Sequence, residues 1–440
     1  MTDTNVSATG RTNDTPSDDR WLYAWATGFA AVGGASLLLP LYALSLGAGA
    51  LYVGLMASTA AFAGVPGALL WGKLASKTGR RRPFVLVALV MTAAVLLASP
   101  FIGSPLLLVA ANAALWFVVS AAAPVLNLVV VEGVEATKWD SRIARLNALQ
   151  GYGWLAGLLV GTVWTFLAPA LGMPAVSAQR YLLGGFGLLA AGSVVLFARF
   201  YPPMAHVSTE RFLRGYRRIG PSGRGTSRFL RAAPQGPGRV YWGLRALRAG
   251  RFRDRFGTPL LGYLAAATLF SAGFSVFWGP MPAHLVELGF SDGVVFLLFL
   301  AGTVGSTVCY EPVGKLTERF APRWFQFGAL ALRAGLFVAT ALVAGALLVG
   351  ASFVAIGVTW AVIAVTTTGL VTRIADERVR GEALGLVAAL VGLGGGVGNA
   401  VGGAVAAAAG SLATFSLGAV VVVAGGLAAL YATRAGRKSV

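Results

Sequence analysis

Residues 84–102 read FVLVALVMTAAVLLASPFI, nineteen residues without a charge. As a helix this run is about 28 Å long, close to the ~30 Å hydrocarbon core of a bilayer. It does not alternate polar with apolar residues, as a barrel strand between lipid and lumen would. Unpaired backbone amides are not tolerated in hydrocarbon, so a spanning helix is the structure that fits.

Eleven more stretches of this kind follow from apolar length and from Gly, Pro and charge punctuation. The full set is 21–46, 50–71, 83–102, 105–131, 146–168, 181–200, 258–286, 293–313, 325–349, 352–372, 384–408 and 411–433. The chain is 57% hydrophobic and 12% charged, where a soluble chain carries about 25% charged residues. A water-soluble fold is excluded, and the class is all-α, polytopic, with twelve spans. The first twenty residues, MTDTNVSATGRTNDTPSDDR, hold four Asp and no basic start before an apolar core. They read as a disordered tail, not a signal peptide.

A net charge of +19 raises the question of nucleic acid, and the position of the charges answers it. Lys73, Lys77, Arg80, Arg81 and Arg82 follow the second span, Lys138, Arg142 and Arg145 the fourth, Arg319 and Arg323 the eighth, Arg378 and Arg380 the tenth. Arg180 alone lies in a loop of the opposite set. The positive-inside rule therefore predicts a cell membrane protein with both termini in the cytoplasm. Residues 201–257 carry thirteen Arg against Glu210 and Asp254. Such a linker suits anionic inner-leaflet lipid, at about 1 kcal/mol per basic residue, and calls for no nucleic acid. Its segment RVYWGLRALRAGRFRDRF places Val240, Leu244 and Leu247 on one helical face, as a helix lying on that leaflet would.

The chain repeats itself. A shift of 242 residues pairs Pro40 with Pro282, Leu46 with Leu288, Gly47 with Gly289, Gly72 with Gly314, Lys73 with Lys315 and Leu74 with Leu316. A shift of 241 lays Gly151, Gly153, Gly157 and Gly161 on Gly392, Gly394, Gly398 and Gly402. The organisation is thus a tail (1–20), a six-helix bundle (21–200), the basic linker (201–257), a second bundle (258–433) and a short tail (434–440). A parallel repeat of this kind places a solute site near the membrane midplane between the halves.

After the second span comes GKLASKTGRRRP, which resembles the cytoplasmic signature of the major facilitator superfamily at Gly72, Leu74, Ala75, Lys77, Gly79, Arg80 and Arg81. The family's acidic position is Ser76 here. In the second copy, GKLTERFAPR, Glu318 holds the acidic position beside Gly314 and Lys315, and Ala321 replaces the second glycine. The resemblance implies that Gly72, Lys73, Gly79, Arg80, Arg81, Gly314 and Glu318 form a cytoplasmic gate, and that the missing carboxylate at Ser76 weakens it. Subfamily marks are incomplete. GYGWLAGLLVG (151–161) has the glycines of drug–proton antiporters without their proline. Glu135 and Arg142 fit a sugar-porter spacing, but its second-half counterpart is Arg373.

No enzyme constellation is visible. GALLWGKL, with Gly67, Gly72 and Lys73, resembles a phosphate loop, but Leu74 stands where Ser or Thr would bind magnesium and no strand precedes it. GLGGGVGNAVGG (392–403) reads as a close-packing helix face. His206 and His284 are isolated, and Cys309 has no partner in the chain. A membrane enzyme would need Glu132, Glu135 and Asp140 to form a reactive cluster, and these have no nearby His or Cys.

The interior polar and aromatic residues are Phe29 and Ser36, Asn112, Trp116 and Ser120, Phe270, Ser271, Phe274 and Trp278, and Trp360. In the resembled family the four spans that hold them line the cavity, and such walls suit an amphipathic or lipophilic solute. The expected spans hold no ionisable residue at mid-depth: Glu132 and Glu311 lie near cytoplasmic ends, and Arg333 is about two turns into the ninth span. They are candidates for proton or sodium coupling, with snorkelling or a Glu311–Arg333 pair as the structural alternative. The expectation is a monomeric secondary transporter without cofactor or metal, exporting an amphipathic compound by alternating access. Uptake of a neutral solute such as a sugar, and a non-transporting receptor or lipid-handling scaffold, stand as alternatives.

Overall fold

The structure, a computed structural model, describes residues 19–78, 81–131, 139–201, 256–376 and 379–435. The segment 239–256, expected as a surface helix, and Gly79, Arg80, Glu132 and Glu135 lie outside the described residues, Phe256 aside. The first half consists of α1 (Arg20–Ser45), α2 (Ala50–Thr78), α3 (Arg82–Ala98), α4 (Pro105–Val131), α5 (Trp139–Ala170) and α6 (Ala175–Phe200). The second consists of α7 (Thr258–Trp278), α8 (Met281–Glu287), α9 (Asp292–Arg319), α10 (Pro322–Leu342), α11 (Ala346–Ile374) and α12 (Arg380–Ala435). No strand occurs among the described residues.

Eleven helices are long and apolar enough to cross a membrane. The last counts twice. Continuous, α12 would run about 84 Å, far beyond one bilayer, but Gly410 breaks it at φ 77° and ψ 177°, a conformation only glycine adopts readily. The break falls between the expected spans 384–408 and 411–433. Packing shows the reversal. On the first limb, Gly394, Gly398 and Gly402 meet Thr268, Ala272 and Val276 of α7, numbers rising together. On the second, Gly418 meets Gly273 and Phe277 while Gly425 meets Phe270, numbers running in opposite directions. The seventh expected span, 258–286, arrives in two pieces, α7 and α8, parted at Gly279 and Pro280. Pro280 and Pro282 have no amide to donate and disfavour helix in the residue before them.

The repeat is reproduced contact by contact. A Cβ on Gly157 would stand 2.0 Å from the Ala30 carbonyl oxygen, and one on Gly398 2.2 Å from that of Ala272. Gly153 meets Ala26 as Gly394 meets Thr268. Each pair of partners is separated by the 242-residue shift. These stripes bring backbones together where no apolar driving force exists between helices in lipid.

Helix direction sorts the ends. Residues 20, 78, 139, 200, 258, 319, 374, 380 and 435 lie at one end, called the termini end, and 45–50, 101–105, 170–175, 287–292, 342–346 and 410 lie at the other, the distal end. Among the described cations only Arg180 is distal and only Arg333 is central. At the termini end Arg142 and Arg145 both bind the Asp19 carboxylate, the former at 2.6 Å, and fasten the start of α5 to that of α1.

The halves are joined through α2 with α12 and α5 with α9. At the first seam a Cβ on Gly403 would lie 2.8 Å from Gly54 Cα. At the second the Phe296 ring covers Gly161. Phe296 is the repeat mate of Gly54, and Gly403 stands one residue after Gly402, the repeat mate of Gly161. Ala50 and Val53 are buried with Ala283 of α8. Gln179 of α6 donates to Asp292 Oδ2 of α9 at 2.7 Å and to Ser45 Oγ of α1 at 2.9 Å. All of these contacts lie in the distal part. Towards the termini end, beyond the point where Phe62 rests on Gly396, an apolar groove of about 760 Å³ opens between α2 and the α7–α12 pair. Phe62, Leu261, Leu264, Thr268, Leu390 and Val397 are among its lining residues.

Candidate functional site

The interior of the first half is aromatic and neutral. Phe29 lies 6.0 Å from Trp154 of α5, and Trp154 lies 6.2 Å from Trp116 of α4, centroid to centroid. All three are half-buried. The polar candidates nearby are already engaged. Ser36 donates to the Gly33 carbonyl at 2.7 Å, and buried Asn112 donates to the Met56 carbonyl of α2 at 2.9 Å. Ser120 packs against Gly64. Asn112 and Ser120 therefore fix α4 on α2, and Ser36 satisfies its own helix.

The second half holds a larger aromatic cluster and a charge. Phe274 is 5.5 Å from Phe270, 6.1 Å from Trp360 and 6.4 Å from Phe337. Trp278 sits apart, among Phe277, Phe299 and Phe353. Ser271 donates to the Val391 carbonyl at 3.1 Å and ties α7 to α12.

Arg333 stands midway along α10 and is 2% exposed. It does not pair with Glu311. Glu311 faces outward, its side chain 80% exposed, and binds Lys315 one turn on at 2.8 Å. Snorkelling is also ruled out by burial at mid-helix. The arginine turns into the second half, where Nη1 donates to the Ile356 carbonyl at 3.0 Å and to Thr359 Oγ1 at 3.2 Å. Its guanidinium lies 4.4 Å from the Phe274 ring centre and 5.6 Å from those of Phe337 and Trp360. Nε is buried with no hydrogen-bond partner. A cation at the centre of a span costs at least ~2.5–3.5 kcal/mol. A desolvated cation–π contact returns about 2 kcal/mol, so the rings offset most of that cost while part of the donor fork stays unused.

The candidate cavity residues thus separate into two groups. Phe29 and Trp116 are brought together in one half and Phe270, Phe274 and Trp360 in the other, while Trp278 stands among Phe277, Phe299 and Phe353 and the four polar residues make contacts within their own half. Of the gate residues, Arg81 is buried at the start of α3 and Gly314 has open space around it. Gly72, Lys73 and Glu318 lie on helices, their side chains outside the described part. Trp154, Gln179, Asp292, Phe337 and Thr359 were not singled out by sequence. Two signals were available: Trp154 lies within the glycine stripe that faces α1, and Phe337 follows Arg333 by four residues, on the same helical face. Among the described residues no three His, Cys, Asp or Glu side chains gather as a metal site.

A family model described as Major Facilitator Superfamily matches residues 22–310 and again 263–440. Comparison with curated protein sequences gave no match. Among solved structures, the nucleoside transporter NupG superposes with a TM-score of 0.66 at 12% identity, covering 96% of this chain and 99% of that one. A bacterial homologue of the human lysosomal transporter Spinster, inward-facing and unoccupied, gives 0.69 at 12% identity, covering 96% and 98%. The human organic anion transporter MFSD10 gives 0.55 at 15% identity, covering 94% and 98%. At these identities the structures speak for the fold, and the family model speaks for descent. Twelve crossings in two matched halves, and a family model that spans nearly all of them, lead to one conclusion: the chain belongs to the Major Facilitator Superfamily.

Proposed function

We propose that the chain is a secondary transporter that exports an amphipathic small solute across the cell membrane by alternating access, with both termini in the cytoplasm. One observation carries this reading. Among the described residues the contacts that join the matched halves lie in the distal part, and an apolar groove opens towards the termini end, an arrangement that fits one of the two states that rocking requires. In this reading the basic termini end faces the cytoplasm, and the state is inward-open.

The apolar groove between α2 and the α7–α12 pair supports export. A solute dissolved in the inner leaflet would enter there without crossing water, and Phe62, Leu261 and Leu390 offer it an apolar path. Phe29, Trp116 and Trp154 on one side and Phe274 and Trp360 on the other are the surfaces it would meet. To release it, the halves must exchange the distal contacts for contacts at the termini end, where Gly72, Lys73, Gly79, Arg80, Arg81, Gly314 and Glu318 form the gate. The Gln179–Asp292 hydrogen bond must then break, which makes Asp292 a better candidate for ion coupling than exposed Glu311.

The test is flux in proteoliposomes. Everted and right-side-out vesicles loaded with aromatic amphipathic solutes, under imposed proton or sodium gradients, should show gradient-dependent movement out of the cytoplasmic side. Ligand binding without net flux under any gradient would favour the receptor or scaffold reading instead.

A further inference from the structure

Each contact of Arg333 is with a neutral group: the Ile356 carbonyl, the Thr359 hydroxyl, and the faces of Phe274, Phe337 and Trp360. Both hydrogen bonds leave from Nη1, so the Nε–Nη2 edge of the guanidinium makes none. That edge presents two parallel N–H donors, the geometry that accepts a carboxylate or similar acid group side-on. Thr359 and the Ile356 carbonyl hold the opposite edge and so set the direction in which the free one points. A guanidinium at this depth stays protonated, and its charge is met by aromatic faces alone, so a ligand that brings one negative charge gains more here than in water. A second anionic charge would meet no cation among the contacts described.

We propose that Arg333 anchors a monoanionic aromatic or lipophilic solute, its acid group bonded to the Nε–Nη2 edge and its apolar body laid against Phe274 and Trp360. Trp360 is half-buried, while Phe274 and Arg333 are buried, so the solute reaches the free edge only as the cluster opens during rocking. The inference rests on the transport reading for the route by which the solute arrives, and names the class of solute.

The experiment compares matched pairs, a panel of aromatic monocarboxylates and their primary amides, bound to the full chain in lipid nanodiscs and read by calorimetry and by unfolding temperature. In the unaltered protein at least one acid should bind ten-fold or more tightly than its amide. Arg333→Gln should bring acid and amide to equal affinity. Arg333→Lys should restore only part of the preference, since a point charge cannot make the fork. Phe274→Leu, which keeps the charge, should weaken acid and amide alike. If no acid outbinds its amide, or if Arg333→Gln keeps the preference, the inference is wrong; the first of these readings needs no variant to fold. Charge-selective binding without vesicle flux would uphold Arg333 and sink the transport reading, whereas flux without charge selectivity would do the reverse.

Discussion

The two halves agree at their seams and differ in their interiors. Gly153 and Gly157 against α1 have the same partners, shifted by 242 residues, as Gly394 and Gly398 against α7. At that same shift Arg333, Phe274, Phe337 and Trp360 correspond to Met91, Val32, Val95 and Val118. Met91 is 41% exposed, where its counterpart is sealed inside. The seams answer to the geometry of close helix contact, which both halves share. The interiors differ in chemistry: the second half buries a charge among rings, and the first is aromatic and neutral. The distal seams lie between these extremes: the register agrees to within one residue, but Gly54 meets Gly403 in one and Phe296 covers Gly161 in the other.

The largest expected effect tests the shared part. Gly157→Val and Gly398→Val each place side-chain carbons against a carbonyl that cannot retreat, and overpacking of this kind costs typically 1–3 kcal/mol or more. Both should lower the unfolding temperature and the yield of monodisperse protein to a similar degree. Gly151→Val and Gly392→Val, the first glycines of the same stripes, face open space and should leave both measures near the parent. Unequal losses between the halves would break the equivalence of the seams.

Next comes the divergent part. Arg333→Met removes a buried charge that no anion compensates, and apolar replacement of such groups is often neutral or stabilising by about 1–4 kcal/mol. The variant should unfold at the same or a higher temperature while it loses acid binding. A large drop in stability would make Arg333 a structural member of the core. At the distal seams, Gly403→Leu should wedge α2 from α12 and raise labelling of a cysteine at position 36 from the distal side, in a Cys309→Ala background. Phe296→Ala should do the same more weakly, since it removes a cover without inserting a wedge. The smallest effect belongs to Gln179→Ala, which removes two hydrogen bonds worth about 0.5–1.5 kcal/mol each, only the one to Asp292 crossing between the halves, and should shift the accessible population only slightly towards the distal-open state.

What the sequence made legible follows the same division. Apolar length against Gly and Pro punctuation located all twelve crossings, because a bilayer demands a fixed helix length. The break at Gly410 was readable for the same reason. Glycine spacing exposed the repeat, and the structure supplied the partners of each stripe. The interior was legible in type but not in arrangement. Aromatic residues could be assigned to four spans, yet which of them touch depends on rotation and tilt set by packing. Arg333 shows the limit. Its spacing placed it inside a span, but an exposed Glu311 bound to Lys315 could not be told from a partner of Arg333 until the side chains were seen. The distal hydrogen bond of Gln179 to Asp292 joins residues 113 apart and had no local signal at all.

Matched halves that rock about a shared interior must close at one end as they open at the other, and paired distances read both ends at once. Spin labels at Leu74 and Leu316, repeat mates at the termini end, and a second pair at Gly49 and Leu412 at the distal end, would be read in lipid with Cys309 replaced. On adding solute under an opposing ion gradient, the Leu74–Leu316 distance should shorten while the Gly49–Leu412 distance lengthens. Two distances that change in the same sense, or stay fixed while flux proceeds, would contradict the account.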